Sequence, residues 1–413
     1  MSSLSRPSHR DEFDTAIICA LRLEFNAVTL LFDEYWDQDG HSYGKVPGDR
    51  NTYIVGRMEQ RNVVLVLLSG IGKVNAATAA ANIITSYNRV KLALIVGICG
   101  GLPKDNDGKD NFLGDIIISE SAMQYDLGRV YPDRRERKDG FLDNLGKPSG
   151  ENITFVKTLQ TDIYLERLLK RTQKNLDILQ DQSGPPGVNV DGTGNPGKYE
   201  YPGVAEDKLF EPIYYHKHHE GCSTCCQGIS ACQTSQELSC NELHCDEARL
   251  ERQRSFDIGD TWRPVVHFGT IASGDSVIKS AEDRDKIARE TKAIAFEMEG
   301  AGIWDTLPCI VVKGVCDYAD THKNKKWQNF AAATAACAAK ALLGLATPPD
   351  RASPQIASRS NVPLIKGNIA KGGARQMNRI RGAHGEISNN SAIGGGRQEN
   401  SIDLGSCRRC VIL

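Results

Sequence analysis

Carboxylic acids at the ends of apolar segments are the residues best placed for chemistry. Phe296-Glu297-Met298-Glu299-Gly300-Ala301 and Cys316-Asp317-Tyr318-Ala319-Asp320 each put acids at the end of a predicted strand. A third acid, Glu24, ends a similar segment near the N-terminus. Cleavage of a bond to a sugar needs such groups. One protonates the leaving group, one activates water, and one grips hydroxyls.

The elements that position these acids follow from the hydrophobic pattern. Residues 15–20 (TAIICA), 53–56, 63–69 (VVLVLLS), 92–96 (LALIV) and 115–119 (DIIIS) read as strands. So do 265–272, 293–296 and 309–316. Helical spacing is predicted over 22–32, 76–84, 281–291, 300–306 and 327–343, the second and last being rich in alanine. Apolar strands alternating with helices argue an α/β domain with a largely buried sheet. Both halves of the pattern are needed for it, so one domain is placed at about 13–345. Residues 180–254 interrupt the pattern and read as a loop-rich insertion, its stretch 184–201 being Gly-, Pro-, Asn- and Asp-rich. Past 346 the composition shifts to Pro, Ser, Gly and Asn. No periodicity or internal repeat is read there, and a disordered tail is expected.

Composition narrows the possibilities. The 413 residues are 40% hydrophobic and 25% charged, as in globular proteins. A net charge of −2 gives no general attraction to nucleic acid. No apolar run approaches the roughly 20 residues of a membrane-spanning helix, and residues 1–14 lack the apolar core of a secretory signal. Several of the 13 cysteines (Cys19, Cys99, Cys309, Cys316) sit inside apolar runs, as core thiols do. A reducing cytosol is the expected location.

Five motifs fall in one order along the chain: Ser69-Gly70-Ile71-Gly72-Lys73-Val74-Asn75-Ala76, Val96-Gly97-Ile98-Cys99-Gly100-Gly101, Ser273-Gly274-Asp275, Phe296-Glu297-Met298-Glu299 and Cys316-Asp317-Tyr318-Ala319-Asp320. Together they resemble the nucleoside phosphorylase and nucleosidase superfamily, in particular methylthioadenosine/S-adenosylhomocysteine nucleosidases and fungal phosphorylase-like domains. The resemblance covers about residues 13–130 and 264–345. It implies a three-layer α/β/α sandwich around a mixed, mostly buried sheet, a purine nucleoside as small-molecule partner, no cofactor, and a homodimer or homotrimer.

It also implies roles. Asp317 matches the acid at N7 of the base, and it acts only when protonated, a form that a partly buried cleft favours. Glu299 matches the carboxylate on the ribose 2′- and 3′-hydroxyls, Met298 the residue under the sugar, and Glu24 the glutamate that activates water. Glu297, Ile98, Cys99, Gly100, Val277, Ile278 and Phe296 complete the implied substrate contacts. Each residue also has a plainer reading. Glu24 suits a solvated helix acid, Asp317 a turn cap, Met298 core packing, and 97–101 a tight turn.

What is missing separates water from phosphate as nucleophile. The purine phosphorylases of the superfamily carry an Arg two positions before Gly-x-Cys-Gly and a Gly-Asp-Pro loop near the N-terminus. Here those places hold Ile95 and the segment around Glu24, which suit phosphate poorly. A hydrolase acting on adenosine is the expectation. A phosphorylase, a methylthioadenosine/S-adenosylhomocysteine nucleosidase and a nucleoside sensor with little turnover remain alternatives. Where the nucleosidases have an adenine-stacking Phe, this chain has Val277, beside Ile278, leaving Phe296 or Tyr318 to supply a ring.

Two features lie outside this chemistry. The insertion holds His216, His218, His219, Cys222, Cys225, Cys226, Cys232, Cys240, His244 and Cys245. Cys222-x-x-Cys225 with Cys240 and either His244 or Cys245 has the composition of one four-ligand structural zinc site, free thiols in a loop being the alternative. The other feature is the C-terminal segment. It carries ten Lys/Arg against four Asp/Glu past 346, a net +6. It ends Cys407-Arg408-Arg409-Cys410-Val411-Ile412-Leu413, a Cys-aliphatic-aliphatic-Leu ending expected to be geranylgeranylated at Cys410, with Cys407 as a second lipidation position. Anchoring to the cytosolic face of a membrane would follow.

Overall fold

The apolar runs become the strands of one nine-stranded mixed sheet in a computed structural model. The structure describes residues 6–38, 43–140, 142–183, 187–188, 194–195, 197–226, 228, 231–254 and 262–348, and short strands between 364 and 412. The sheet strands are β1 (Thr15–Cys19), β2 (Glu34–Tyr35), β3 (Tyr53–Met58), β4 (Arg61–Leu67), β5 (Leu92–Gly101), β6 (Ile116–Gln124), β7 (Val266–Ser273), β8 (Ala293–Glu297) and β9 (Cys309–Asp317). Their spatial order is β8-β7-β6-β9-β5-β1-β4-β3-β2. β1 lies parallel between β4 and β5, and β9 lies parallel to β5 but antiparallel to β6. The ends of β8 and β5 also pair, Phe296 opposite Gly100, so this part of the sheet curls onto itself.

Helices α1 (Arg22–Thr29), α2 (Lys73–Ser86), α3 (Gly150–Leu159), α4 (Asp162–Gln182), α5 (Ser223–Cys226), α6 (Gln233–Glu237), α7 (Ala281–Thr291), α8 (Gly300–Ile303) and α9 (Lys326–Leu345) complete the unit. α9 is buried on nearly every face, from Phe330 to Leu343. A helix apolar all round must be enclosed, and its alanines let it lie close to the strands. Gly314 of β9 shows how close: a Cβ there would meet the Ala331 carbonyl at 2.0 Å. α1 and α4 pack on α9, and α2 packs on α8.

Two differences from the sequence pattern bear on the site. The segment 97–101 is no tight turn but the continuation of β5, in register with the last residues of β9. The acid Asp317 therefore lies beside Gly100. The insertion begins only after α4, because the amphipathic repeat of that helix carries it to Gln182 against α9. Within the insertion, Lys208–Phe210 pairs with Leu250–Gln253.

Residues from Pro349 onward form a separate unit. Three pairs of its described strands lie in parallel, with Leu364 opposite Glu386, Ile369 opposite Ser391 and Arg375 opposite Arg397, each at an offset of 22 residues. The offset corrects the aperiodic reading of this segment. Ile365, Ala370, Arg375, Gln376, Asn378 and Ile380 recur as Ile387, Ala392, Arg397, Gln398, Asn400 and Ile402. Two copies are too few, and too polar, to stand out as hydrophobic periodicity. Cys407 and Cys410 lie outside the described residues. No helix among the described residues is long and apolar enough to cross a membrane.

Candidate active site

Glu24 opens the site because its helix needs it. It is the third residue of α1, and its Oε2 accepts from the backbone N–H groups of Ala20 (2.9 Å) and Leu21 (2.8 Å). These amides would otherwise be left without partners at a helix start. Its Oε1 accepts from Ile98 N–H at 2.8 Å. The approach to β5 is possible only because residue 97 is glycine, since a Cβ there would sit 2.2 Å from Oε1. Glu24 is 2% exposed, so the solvated reading of it does not hold. Burial pushes its carboxyl above the usual glutamate range, while Lys313 pulls against that and Glu299 adds to it.

Lys313 is a site residue that the sequence analysis missed. It stands in the interior of β9, 1% exposed. Its Nζ lies 3.0 Å from Glu299 Oε2 and 3.6 Å from Glu297 Oε2. Burial works against its charge, but Glu299, Glu297 and Glu24 outweigh burial and hold the ammonium above the usual lysine value. Glu297 ends β8 and accepts from the backbone N–H groups of Glu299 and Gly300, both at 3.0 Å, which fixes the turn into α8. Burial raises its carboxyl, with Lys313 opposing. One lysine inside the apolar run 309–316 was the available signal, because such a charge is buried only with partners.

Asp317 ends β9 and has an ammonium partner. Its Oδ1 accepts from Lys323 Nζ at 2.8 Å and from Ala319 N–H at 2.9 Å. The partly buried cleft expected from the sequence is therefore charged on one side of Asp317. For Lys323 burial again opposes the charge, and Asp317 more than offsets it, raising the ammonium. The following loop is held from several directions. Arg284 donates to Tyr318 O at 3.0 Å, and the Tyr318 hydroxyl donates to Asp207 at 2.5 Å. Arg252 donates to the Tyr318 oxygen at 3.0 Å.

A cavity of about 230 Å³ brings these groups together. Glu24, Ile98, Cys99, Gly100, Val277, Ile278, Phe296, Glu297, Met298, Glu299 and Asp317, all anticipated from the sequence, line it, joined by Ser276, Cys316, Lys323 and Gln328. Tyr318 does not line it. Its ring is turned toward the insertion by Asp207 and Arg252, which removes it as a base-stacking candidate and leaves Phe296. Val277 stands at the exposed rim. The two remaining motifs act as struts. Lys73 Nζ bonds Asp126 at 2.6 Å while its backbone N–H donates to Asp275 at 2.8 Å, tying the Ser-Gly-Ile-Gly-Lys turn to the Ser-Gly-Asp turn.

The Cys/His residues do not form the single set expected. Cys222 and Cys225 gather with His218 and Cys232, whereas Cys240 and Cys245 gather with His216 and His322. His244 belongs to neither, its backbone being left-handed at φ 52°. Spacing alone misassigned them because His216 and His218, two positions apart, serve different groups, and His322 comes from the loop after Asp317.

The sequence matches known proteins over most of its length. The family model described as the phosphorylase superfamily matches residues 14–347, and the chain belongs to that superfamily. A nucleotide-binding leucine-rich repeat (NLR)-like protein of Hyaloscypha variabilis is 30% identical over 355 residues, covering 84% of this chain and 31% of its own length. An aminodeoxyfutalosine nucleosidase of Helicobacter pylori is 36% identical over 83 residues, 19% of this chain and 36% of its own length. This chain thus spans about a third of the curated relatives it matches. The structure of a 5′-methylthioadenosine/S-adenosylhomocysteine nucleosidase from Neisseria meningitidis, bound to methylthio-immucillin-A, has 18% identity and a TM-score of 0.44, with 80% of this chain and 98% of that chain covered.

Proposed function

We propose that the chain is a purine nucleoside N-ribosyl hydrolase that cleaves the C1′–N9 bond, with adenosine as first-choice substrate. The observation that carries this reading is the meeting of Glu24, Glu299 and Asp317 on one cavity. Lys323, whose Nζ lies 2.8 Å from Asp317 Oδ1, supplies the proton that Asp317 passes to N7 as the C1′–N9 bond breaks, so the base leaves neutral and C1′ becomes oxocarbenium-like. Glu299 accepts from the ribose hydroxyls, its position fixed by Lys313. Met298 lies beneath the sugar, and Phe296 offers the ring nearest the base. Glu24 takes a proton from the water whose oxygen bonds to C1′. A carboxylate has about four acceptor sites, and three backbone amides leave one for that water.

Phosphate suits this cavity poorly. No arginine is among the described residues that line it. Lys323 on its wall already answers Asp317, and Lys313 behind it answers Glu297 and Glu299. A buried glutamate at the nucleophile's place would repel a dianion. Purified protein incubated with adenosine, inosine, guanosine and methylthioadenosine, with and without phosphate, tests the reading. Free base plus ribose from adenosine, unaffected by phosphate, is expected. Ribose 1-phosphate formed only with phosphate would overturn it, and preferential turnover of methylthioadenosine would move the substrate to the 5′-thio class.

A second reading is supported by the Hyaloscypha variabilis relative, which matches 84% of this chain while only 31% of its own length is covered. In it the cavity binds a nucleoside and reports occupancy to other segments. Saturable adenosine binding with no base released would select that reading.

A further inference from the structure

The segment 211–249 has almost no hydrophobic core. Among its described residues, the buried apolar side chains are Cys225 and Leu243 alone. Its helices α5 and α6 are one turn each. A segment this poor in buried apolar surface needs another staple to hold one conformation. What it does enclose is sulfur and imidazole.

Two groups of four stand out. In the first, His216 Nδ1 lies 3.6 Å from Cys240 Sγ and 3.7 Å from Cys245 Sγ, and His322 Nδ1 lies 3.6 Å from Cys240 Sγ. In the second, His218 Nδ1 lies 3.7 Å from Cys225 Sγ and 3.5 Å from Cys232 Sγ, with Cys222 completing the set. Within each group all four ligand atoms fall within 4.8 Å of one another. Tetrahedral zinc with Zn–S of about 2.3 Å and Zn–N of about 2.05 Å requires N···S separations of about 3.6 Å. The observed edges match that figure.

The outer contacts point the same way. His216 Nε2 bonds the Leu238 carbonyl at 2.8 Å, and His322 Nε2 bonds the Tyr214 carbonyl at 2.9 Å. A carbonyl accepts only, so each ring carries its proton on Nε2 and turns an Nδ1 lone pair toward the sulfurs. This is the usual way a metal-binding imidazole is oriented. In the second group the backbone N–H of Cys232 donates to Cys225 Sγ and that of Ser235 to Cys232 Sγ, both at 3.4 Å. Such donors stabilise thiolate sulfur.

We propose that the chain holds two structural zinc ions, one bound by His216, Cys240, Cys245 and His322 and the other by His218, Cys222, Cys225 and Cys232. Each site is closed by four protein ligands, with no position left for substrate. The cysteines bind as thiolates and release their protons to solvent. The first site has a consequence for the cleft. His322 lies five residues past Asp317 and one before Lys323, its N–H bonded to Asp320 at 2.8 Å and its ring stacked on Phe210 at 4.1 Å. Zinc there fastens the insertion to the loop that follows the acid. The second site folds only its own segment.

Metal analysis of the full chain, purified without chelator, tests the proposal by mass spectrometry, with cobalt substitution to read the ligands. Two zinc ions per chain are expected, both released by a thiol-blocking mercurial. Cobalt should give the tetrahedral bands of a two-sulfur and a three-sulfur site. The double change Cys222→Ser and Cys225→Ser should leave one ion and only the two-sulfur spectrum. Fewer than two zinc ions in the unaltered protein would overturn the pair. So would a Cys240–Cys245 or Cys222–Cys225 disulfide in protein kept under reducing conditions. Because the first reading uses the unaltered chain, a variant that fails to fold does not decide the matter.

Discussion

The cleft and the Cys/His segment both hold polar groups away from water, and they do so with different materials. In the cleft, Lys313 is enclosed by the sheet and faces Glu24, Glu297 and Glu299, the first of which lies far from the other two in the chain. A large apolar core keeps these charges in place. In the Cys/His segment seven of the eight proposed ligands fall between 216 and 245, and the core is nearly absent. The difference separates two kinds of order. The cleft depends on global folding, whereas the Cys/His segment depends on what its ligands hold.

The largest expected effect breaks the cleft side chemically and spares its fold. Asp317→Asn keeps the shape but removes the group that gives up a proton, and kcat should fall by roughly 10²–10⁴. Steady-state base release together with a melting curve checks this. An unchanged kcat would remove Asp317 from the mechanism.

Next in size is Lys313→Met, which attacks the fold of the same region. It leaves three buried carboxylates without their shared cation, and removing one partner of a buried charge group costs about 3–5 kcal/mol. Denaturant unfolding should show that loss. A change below about 1 kcal/mol would mean that water already reaches these carboxylates.

The contrast also explains what the sequence disclosed. Strands and most helices were legible because β-branched runs and alanine-rich stretches carry their period locally. The cleft's lining was legible because Gly-Ile-Cys-Gly, Phe-Glu-Met-Glu and Cys-Asp-Tyr-Ala-Asp are compact motifs. The pairing partners were not. Lys313 and Lys323 meet their carboxylates only through the packing of β8 against β5 and the fold of one loop, and Tyr318 was misjudged because Asp207 and Arg252 reach it from the insertion. In the Cys/His segment composition named seven of the ligands but spacing grouped them wrongly, since His322 joins from outside.

A pair of variants sharpens the comparison where the two regions touch. His322→Ala should lower kcat about tenfold with KM little changed, by loosening the loop between Asp317 and Lys323. Cys222→Ser should change kcat less than about twofold, because none of its group lines the cavity or lies on the loop after Asp317. Equal losses from both would mean that the insertion acts on the cleft as one body.

The smallest effect on stability concerns Glu24, whose two readouts change with pH in opposite directions. Burial raises its carboxyl above the ordinary value of about 4.3, with Lys313 opposing and Glu299 reinforcing. As a base it works only when ionised, so kcat/KM should climb with pH through that raised value and fall on the acid side. Stability runs the other way. A carboxyl raised in the folded state binds protons there that the unfolded chain has already lost, so its contribution declines as pH rises through the same window. Glu297 and Asp320 are raised by burial too, and Asp207 is pushed up to about 6, so they tilt the melting curve in the same direction. The difference between the unaltered chain and Glu24→Gln isolates one residue. Melting temperatures and kcat/KM measured from pH 4 to 7 should show the variant losing activity at every pH and gaining relative stability toward pH 7. A constant stability difference across that range would mean that Glu24 keeps an ordinary carboxyl, and the acid limb of the activity profile would then belong to another group.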